Sequence, residues 1–99
     1  MIKIEEISTN QLNKAANILK AIAHPMRIAI LGYLEGGESL TVTEIHKKLK
    51  IEQSATSHHL GILKDKGVLQ SQREGKNTYY SLKFETLGQI VKCVTECTS

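Results

Sequence analysis

The most directed chemistry in the chain lies in Gln53-Ser54-Ala55-Thr56-Ser57-His58-His59-Leu60-Gly61-Ile62-Leu63-Lys64. At about 100° per residue on a helical wheel, Ala55, His59, Ile62 and Leu63 gather on one side, with Leu60 on its flank. Ser54, Ser57, His58, Gly61 and Lys64 gather on the other, and Gln53 and Thr56 sit at the margins. Short hydrogen-bonding side chains replace the long Glu and Lys residues that favour a solvated helix. A helix with such a face can enter a major groove closely, where hydroxyls and amides meet base edges and phosphates. Gln53 suits an adenine. Ser54 and Ser57 suit phosphate or base, and His58 can donate to guanine or phosphate. Lys64 and Lys66 suit the backbone, and Thr56 joins the contact set from its marginal position. The plainer account is a serine-rich helix start that caps itself. A cap accounts for one serine, not for two hydroxyls and a histidine on one face. His59, on the apolar side, reads instead as a hydrogen-bonded core residue.

A second candidate contact is the turn Arg73-Glu74-Gly75-Lys76-Asn77. A basic wing beside a reading helix can lie along a phosphate ridge or in the minor groove, with Arg73, Lys76 and Asn77 as its contacts. An ordinary exposed hairpin turn is the alternative, and Glu74 weighs toward it.

These residues need elements to hold them. Ser8 with Gln11 fits a capping box, and Leu12, Ala15, Ala16, Leu19, Ile22 and Ala23 then repeat at helical spacing. His24-Pro25 interrupts that helix and starts a second over residues 25–35, with Ile28, Leu31 and Leu34 inward, ended by Gly36-Gly37. Thr41 with Glu44 caps a short third helix over residues 42–49. After a break at Lys50-Ile51 a fourth runs over 53–66, to Gly67. Residues 68–73 and 78–82 read as two strands of a hairpin, and residues 84–96 as a last helix with Leu87, Ile90, Val91 and Val94 on one stripe. The expected fold is therefore mainly α with a small β-hairpin, in the order α-α-α-α-β-β-α. A very short turn joins the third and fourth helices, as in a helix-turn-helix.

A chain of 99 residues is expected to form one domain, residues 1–99, small enough that pairing with a second copy adds useful core. No apolar run approaches a membrane span. The first ten residues lack a basic region followed by an apolar one, so the reading expects a cytoplasmic protein with no membrane partner. Net charge is +3, but residues 47–83 hold eight basic and three acidic residues, a net +5 that leaves −2 elsewhere. A basic middle between near-neutral ends fits one polyanion-facing surface, or a solvated surface rich in lysine. No phosphate-binding glycine loop and no assembled Cys/His pair points to an enzyme. The histidines at 24, 46, 58 and 59 make no ligand spacing such as H-x₃-H, so no metal or cofactor is expected.

Three blocks together resemble the ArsR-like (arsenical-repressor) family of bacterial winged-helix regulators. They are Ala23-His24-Pro25-Met26-Arg27-Ile28-Ala29-Ile30-Leu31, then Gln53 through Leu63, then Gly67-Val68-Leu69 through Arg73-Glu74-Gly75-Lys76 to Tyr79-Tyr80-Ser81-Leu82. The resemblance implies a homodimer through the first and last helices. It also implies double-stranded operator DNA as partner, and a repressor released by an inducer. Glu52 stands where many relatives have serine, a poorer cap and a carboxylate near phosphates. The family's metal positions do not transfer. Val42-Thr43-Glu44-Ile45-His46 has no cysteine where the arsenic type has a pair, and the last helix has Glu85 but no histidine for the zinc type.

Cys93 and Cys97, four apart on the last helix, carry two readings. As thiols at a dimer contact they can meet an oxidant or a reactive sulfur species, making release a thiol switch. As small apolar fillers they flank the Leu87/Ile90/Val91/Val94 stripe. The competing overall reading is a winged-helix protein-interaction module without DNA binding. It would require large apolar groups where Ser54, Ser57, His58 and Lys64 stand.

Overall fold

A computed structural model describes residues 2–98. A 3-10 turn, Ile4–Glu6, precedes α1 (Thr9–Ile22) and α2 (Pro25–Leu34). Then come β1 (Leu40–Thr41), α3 (Val42–Leu49), α4 (Gln53–Asp65), β2 (Leu69–Glu74), β3 (Asn77–Leu82) and α5 (Glu85–Cys97). Among the described residues no helix is long and apolar enough to cross a membrane.

The helix starts follow the capping chemistry in the sequence. Ser8 Oγ accepts the Gln11 amide at 3.1 Å while the Gln11 side chain accepts the Ser8 amide at 2.9 Å. Thr41 and Glu44 do the same for α3, at 3.2 and 3.0 Å. That exchange holds the Glu44 carboxyl below the ordinary carboxylate range, the Thr41 amide being the main cause. At α2 the cap is His24, whose Nδ1 accepts the Met26 amide at 3.1 Å, and Pro25 takes the first position, where no N–H is needed.

The end of α4 is a Schellman motif. Gly67, at φ +78°, donates to the Lys64 carbonyl, and Val68 donates to that of Leu63 at 2.9 Å. Val68 and Leu63 are both fully buried, so the motif seats the start of the hairpin in the core. Ile30, Leu31, Leu34, Ile45, Leu60 and Leu69 complete that core, with Leu82 and Leu40 at its edge. Ile30 is fully buried where the sequence pattern favoured Ile28, which is half-buried.

The hairpin is one strand larger than the sequence suggests. β1 pairs antiparallel with β3 in the order β1-β3-β2, with Leu40 opposite Tyr80 and Thr41 opposite Tyr79. Two residues are too few for an alternating pattern, which is why the strand is silent in the sequence. The wing turn is also tighter than a four-residue loop. Glu74 pairs with Asn77, leaving Gly75 and Lys76 as its centre. Positive φ falls on Gly75 at +61° and not on Lys76, as a type II′ turn demands.

Candidate nucleic-acid interface

Three residues, 50–52, separate α3 from α4. The turn closes because Lys50 adopts the left-handed conformation, at φ 58°. The Ile51 amide then reaches back to the His46 carbonyl at 3.3 Å. Lys50 is the one non-glycine residue with positive φ among those described.

The inward side of α4 is Thr56, Leu60 and Leu63, each 0% exposed. The core stripe is thus rotated from the one drawn on the wheel. Ala55, expected inward, is exposed, and Leu60, expected on the flank, is central. The rotation removes Thr56 from the contact set. Its hydroxyl donates to the Glu52 carbonyl at 3.1 Å, and no part of it reaches solvent. Burial beside an available backbone acceptor is the physical reason: a threonine can hide its methyl in the core while its hydroxyl bonds one turn back.

The remaining α4 candidates share the outer face. Gln53, Ser54, Ser57, His58 and Lys64 are all exposed. Glu52 gives α4 no side-chain cap, so the first N–H groups of that helix have no side-chain partner at the N-cap. On the wing, Arg73, Lys76 and Asn77 are exposed, and Arg73 Nε donates to the Gly75 carbonyl at 3.3 Å, bracing the turn it flanks. Helix and wing converge. Gln53, Lys76 and Asn77 line one polar recess of about 230 Å³ together with Thr41, Val42, Thr43 and Thr78. The starts of α3 and α4 and the tip of the wing therefore face a common space.

The chain and its fold have counterparts among known proteins. A family described as a helix-turn-helix domain matches residues 22–72. The transcriptional repressor PagR of Bacillus anthracis is 40% identical over 90 residues, covering 91% of this chain and 87% of PagR. Its crystal structure gives a TM-score of 0.79 at 37% identity, over 88% of this chain and 99% of that one. The HTH-type transcriptional regulator YgaV of Escherichia coli K12 is 37% identical over 78 residues, 79% of either chain. The homodimeric winged helix-turn-helix DNA-binding domain of Mb0332 from Mycobacterium bovis, a possible ArsR-family regulator, gives a TM-score of 0.79. That match is at 26% identity, over 93% of this chain and 87% of that one. The chain belongs to the ArsR-like family of winged helix-turn-helix transcriptional regulators.

In this ArsR-like chain, Thr43 and Thr78 are recess residues that sequence reasoning did not select. Nothing local marks them. They meet Gln53 only because β1 docks the start of α3 onto β3. Among the described residues no group of three or more His, Cys, Asp or Glu is placed to hold a metal ion. Cys93 and Cys97 are exposed free thiols on α5, far in sequence from α4. Ile90 and Val94 are exposed there too, at 49% and 54%, and on α1 so are Leu12 at 43% and Leu19 at 61%.

Proposed function

We propose that this ArsR-like protein is a homodimeric repressor that reads operator DNA with the outer face of α4. In this reading Gln53, Ser54, Ser57 and His58 enter the major groove and Lys64 contacts phosphate. Lys76, Arg73 and Asn77 lie on the flanking backbone. The convergence of the wing tip, α3 start and α4 start on one polar recess carries the reading, because a phosphate there would meet the start of α4, which has no side-chain cap, and a lysine together. PagR, named a repressor, supports the direction of regulation.

The apolar residues left exposed on α1 and α5 supply the dimer contact in this proposal, as Mb0332 is a homodimer. The chain then meets a roughly two-fold operator with two reading helices. Cys93 and Cys97 lie on the α5 side bearing Ile90 and Val94, so an oxidant or reactive sulfur species acting there would act on the dimer. Release by such a reagent, or by another inducer, completes the proposed cycle.

The test is binding of the purified protein to its own promoter DNA, followed by fluorescence anisotropy over a salt series. Steep weakening with salt is expected, and Ser57→Glu is expected to abolish binding while leaving the unfolding curve unchanged. Binding retained by that variant would move the reading surface off α4. Repeating the titration with the thiols oxidised decides between a thiol switch, where binding is lost, and packing cysteines, where it persists. No binding in either state would favour the protein-interaction module.

A further inference from the structure

A cluster of one arginine and two histidines joins α1, α2 and α4 behind the reading face. Arg27 of α2 donates from Nε to Nδ1 of His59 on α4 at 3.0 Å, and from a terminal nitrogen to the Ala21 carbonyl at 3.0 Å. Ala21 lies in the last turn of α1, where carbonyls have no partner within the helix. The His24 ring, at the α1–α2 junction, stands 4.7 Å from that of His59, centroid to centroid. One guanidinium thus ties the end of the first helix to the middle of the reading helix.

The donor inventory fixes the protonation state. A guanidinium only donates, so His59 Nδ1 must offer its lone pair and the ring proton sits on Nε2. A second proton would take that lone pair and leave two N–H groups facing each other. It would also set an imidazolium beside the Arg27 guanidinium. The groups that face His59 are His24 from the α1–α2 junction, Arg27 from α2 and His58 from its own helix. Among the described residues no carboxylate from α1, α3 or β2 hydrogen-bonds or ion-pairs with Arg27, His24 or His59. Burial holds His59 below the ordinary imidazole range, and the charges of His24, Arg27 and His58 act in the same sense.

We propose that Arg27 and His59 are positioning residues for operator binding, and that proton uptake by His59 breaks the Arg27 tie between α4 and the α1–α2 corner, loosens the seating of α4 and so lowers operator affinity. The inference rests on α4 being the reading helix. The mechanism needs no contact between His59 and DNA. Only the fraction of protein with α4 tied in place binds fully, so apparent affinity falls with that fraction.

The experiment is a promoter-duplex titration at constant ionic strength between pH 8 and pH 5.5, for the wild type and His59→Asn. Asparagine keeps an acceptor near the Nδ1 position but does not titrate. The wild type is expected to lose affinity on acidification relative to His59→Asn by a factor of about five, the low end of coupling between two sites. Parallel profiles would overturn the proposal. A second measurement needs no variant: the His59 ring proton resonances titrated in the free and DNA-bound wild type. The bound form should take up its proton at lower pH than the free form, and an equal or higher value in the complex would overturn the proposal. Failure of the reading-helix assignment looks different, as binding that Ser57→Glu does not disturb at any pH.

Discussion

Arg27 Nε and His59 Nδ1 stand 3.0 Å apart across thirty-two residues of chain, and the same guanidinium reaches Ala21. Lysine has one compact ammonium and cannot hold both acceptors in a fixed fork. Arg27→Lys should therefore lower stability by about 1–2 kcal/mol, the scale of one charge-assisted hydrogen bond lost from a part-buried site. A urea melt reads it directly. An unchanged midpoint would mean that the fork contributes nothing to the fold.

The same pair sets a pH dependence of folding. The folded state favours neutral His59, so its folded proton affinity lies below the unfolded one. The stability tied to this ring is complete above the ordinary imidazole pKa and is lost as pH falls through the lower, folded value. Thermal melts between pH 7.5 and 5.5 should show a decline that is smaller in His59→Asn. Equal declines would assign the acid sensitivity to other groups.

Thr56 and Ser57 are neighbours with opposite fates, and substitution should separate them. Thr56→Val removes a buried hydroxyl that donates to Glu52, at a cost of about 1 kcal/mol of stability. Operator affinity, measured where the variant is fully folded, should stay near wild type. A specific loss of affinity would return Thr56 to the interface.

Lys76 sits exposed at the centre of the wing turn, where the proposed contact is to the DNA backbone. Lys76→Ala should weaken binding evenly across operator variants and reduce the salt slope by about 1. Anisotropy titrations on a panel of single-base substitutions check this. A change confined to one base position would contradict a backbone role.

Two helical glycines should respond oppositely to alanine. A Cβ on Gly32 meets nothing within 4 Å, so Gly32→Ala should stabilise by about 0.5–1 kcal/mol through helix propensity. A Cβ on Gly88 would stand 2.8 Å from Cγ of Glu35 and 3.0 Å from Cδ1 of Leu82. Overpacking of about 1–3 kcal/mol there should outweigh the same propensity gain. Denaturant midpoints moving in the same direction would show that α5 can shift off α2 freely.

Local signals carried most of the elements. The capping boxes at Ser8 and Thr41, Pro25 after His24, and Gly67 after α4 each place a helix end within a residue or two of its observed position. Long-range pairing was not legible. β1 forms because Leu40 and Thr41 meet Tyr80 and Tyr79, and no pattern within two residues announces a partner forty residues away. The recess at Thr43 and Thr78 was hidden for the same reason. On α4 the wheel erred by treating Ala55 as core and Thr56 as marginal, while His59 is hydrogen-bonded as expected but only half-buried. Hydropathy undervalues a threonine whose hydroxyl is satisfied by its own helix, and it does not foresee that a histidine half-buried beside an arginine will stay at the edge. The outer face of α4 was legible because small polar residues are an unusual choice for a solvated helix.

The Schellman turn at Gly67 has a mechanical consequence. Through Leu63 and Val68 it joins α4 to the first wing strand, and Val68 in turn accepts the Lys83 amide at the foot of the second. Helix and wing are therefore one stiff part, with little freedom to spread or close around a duplex. In the proposed homodimer, two such parts would accommodate half-sites at different separations by rocking against each other where the subunits join. In the proposed dimer, tolerance for operator spacing would then lie with α1 and α5, so that residues outside the proposed DNA face would decide which operators the protein can span.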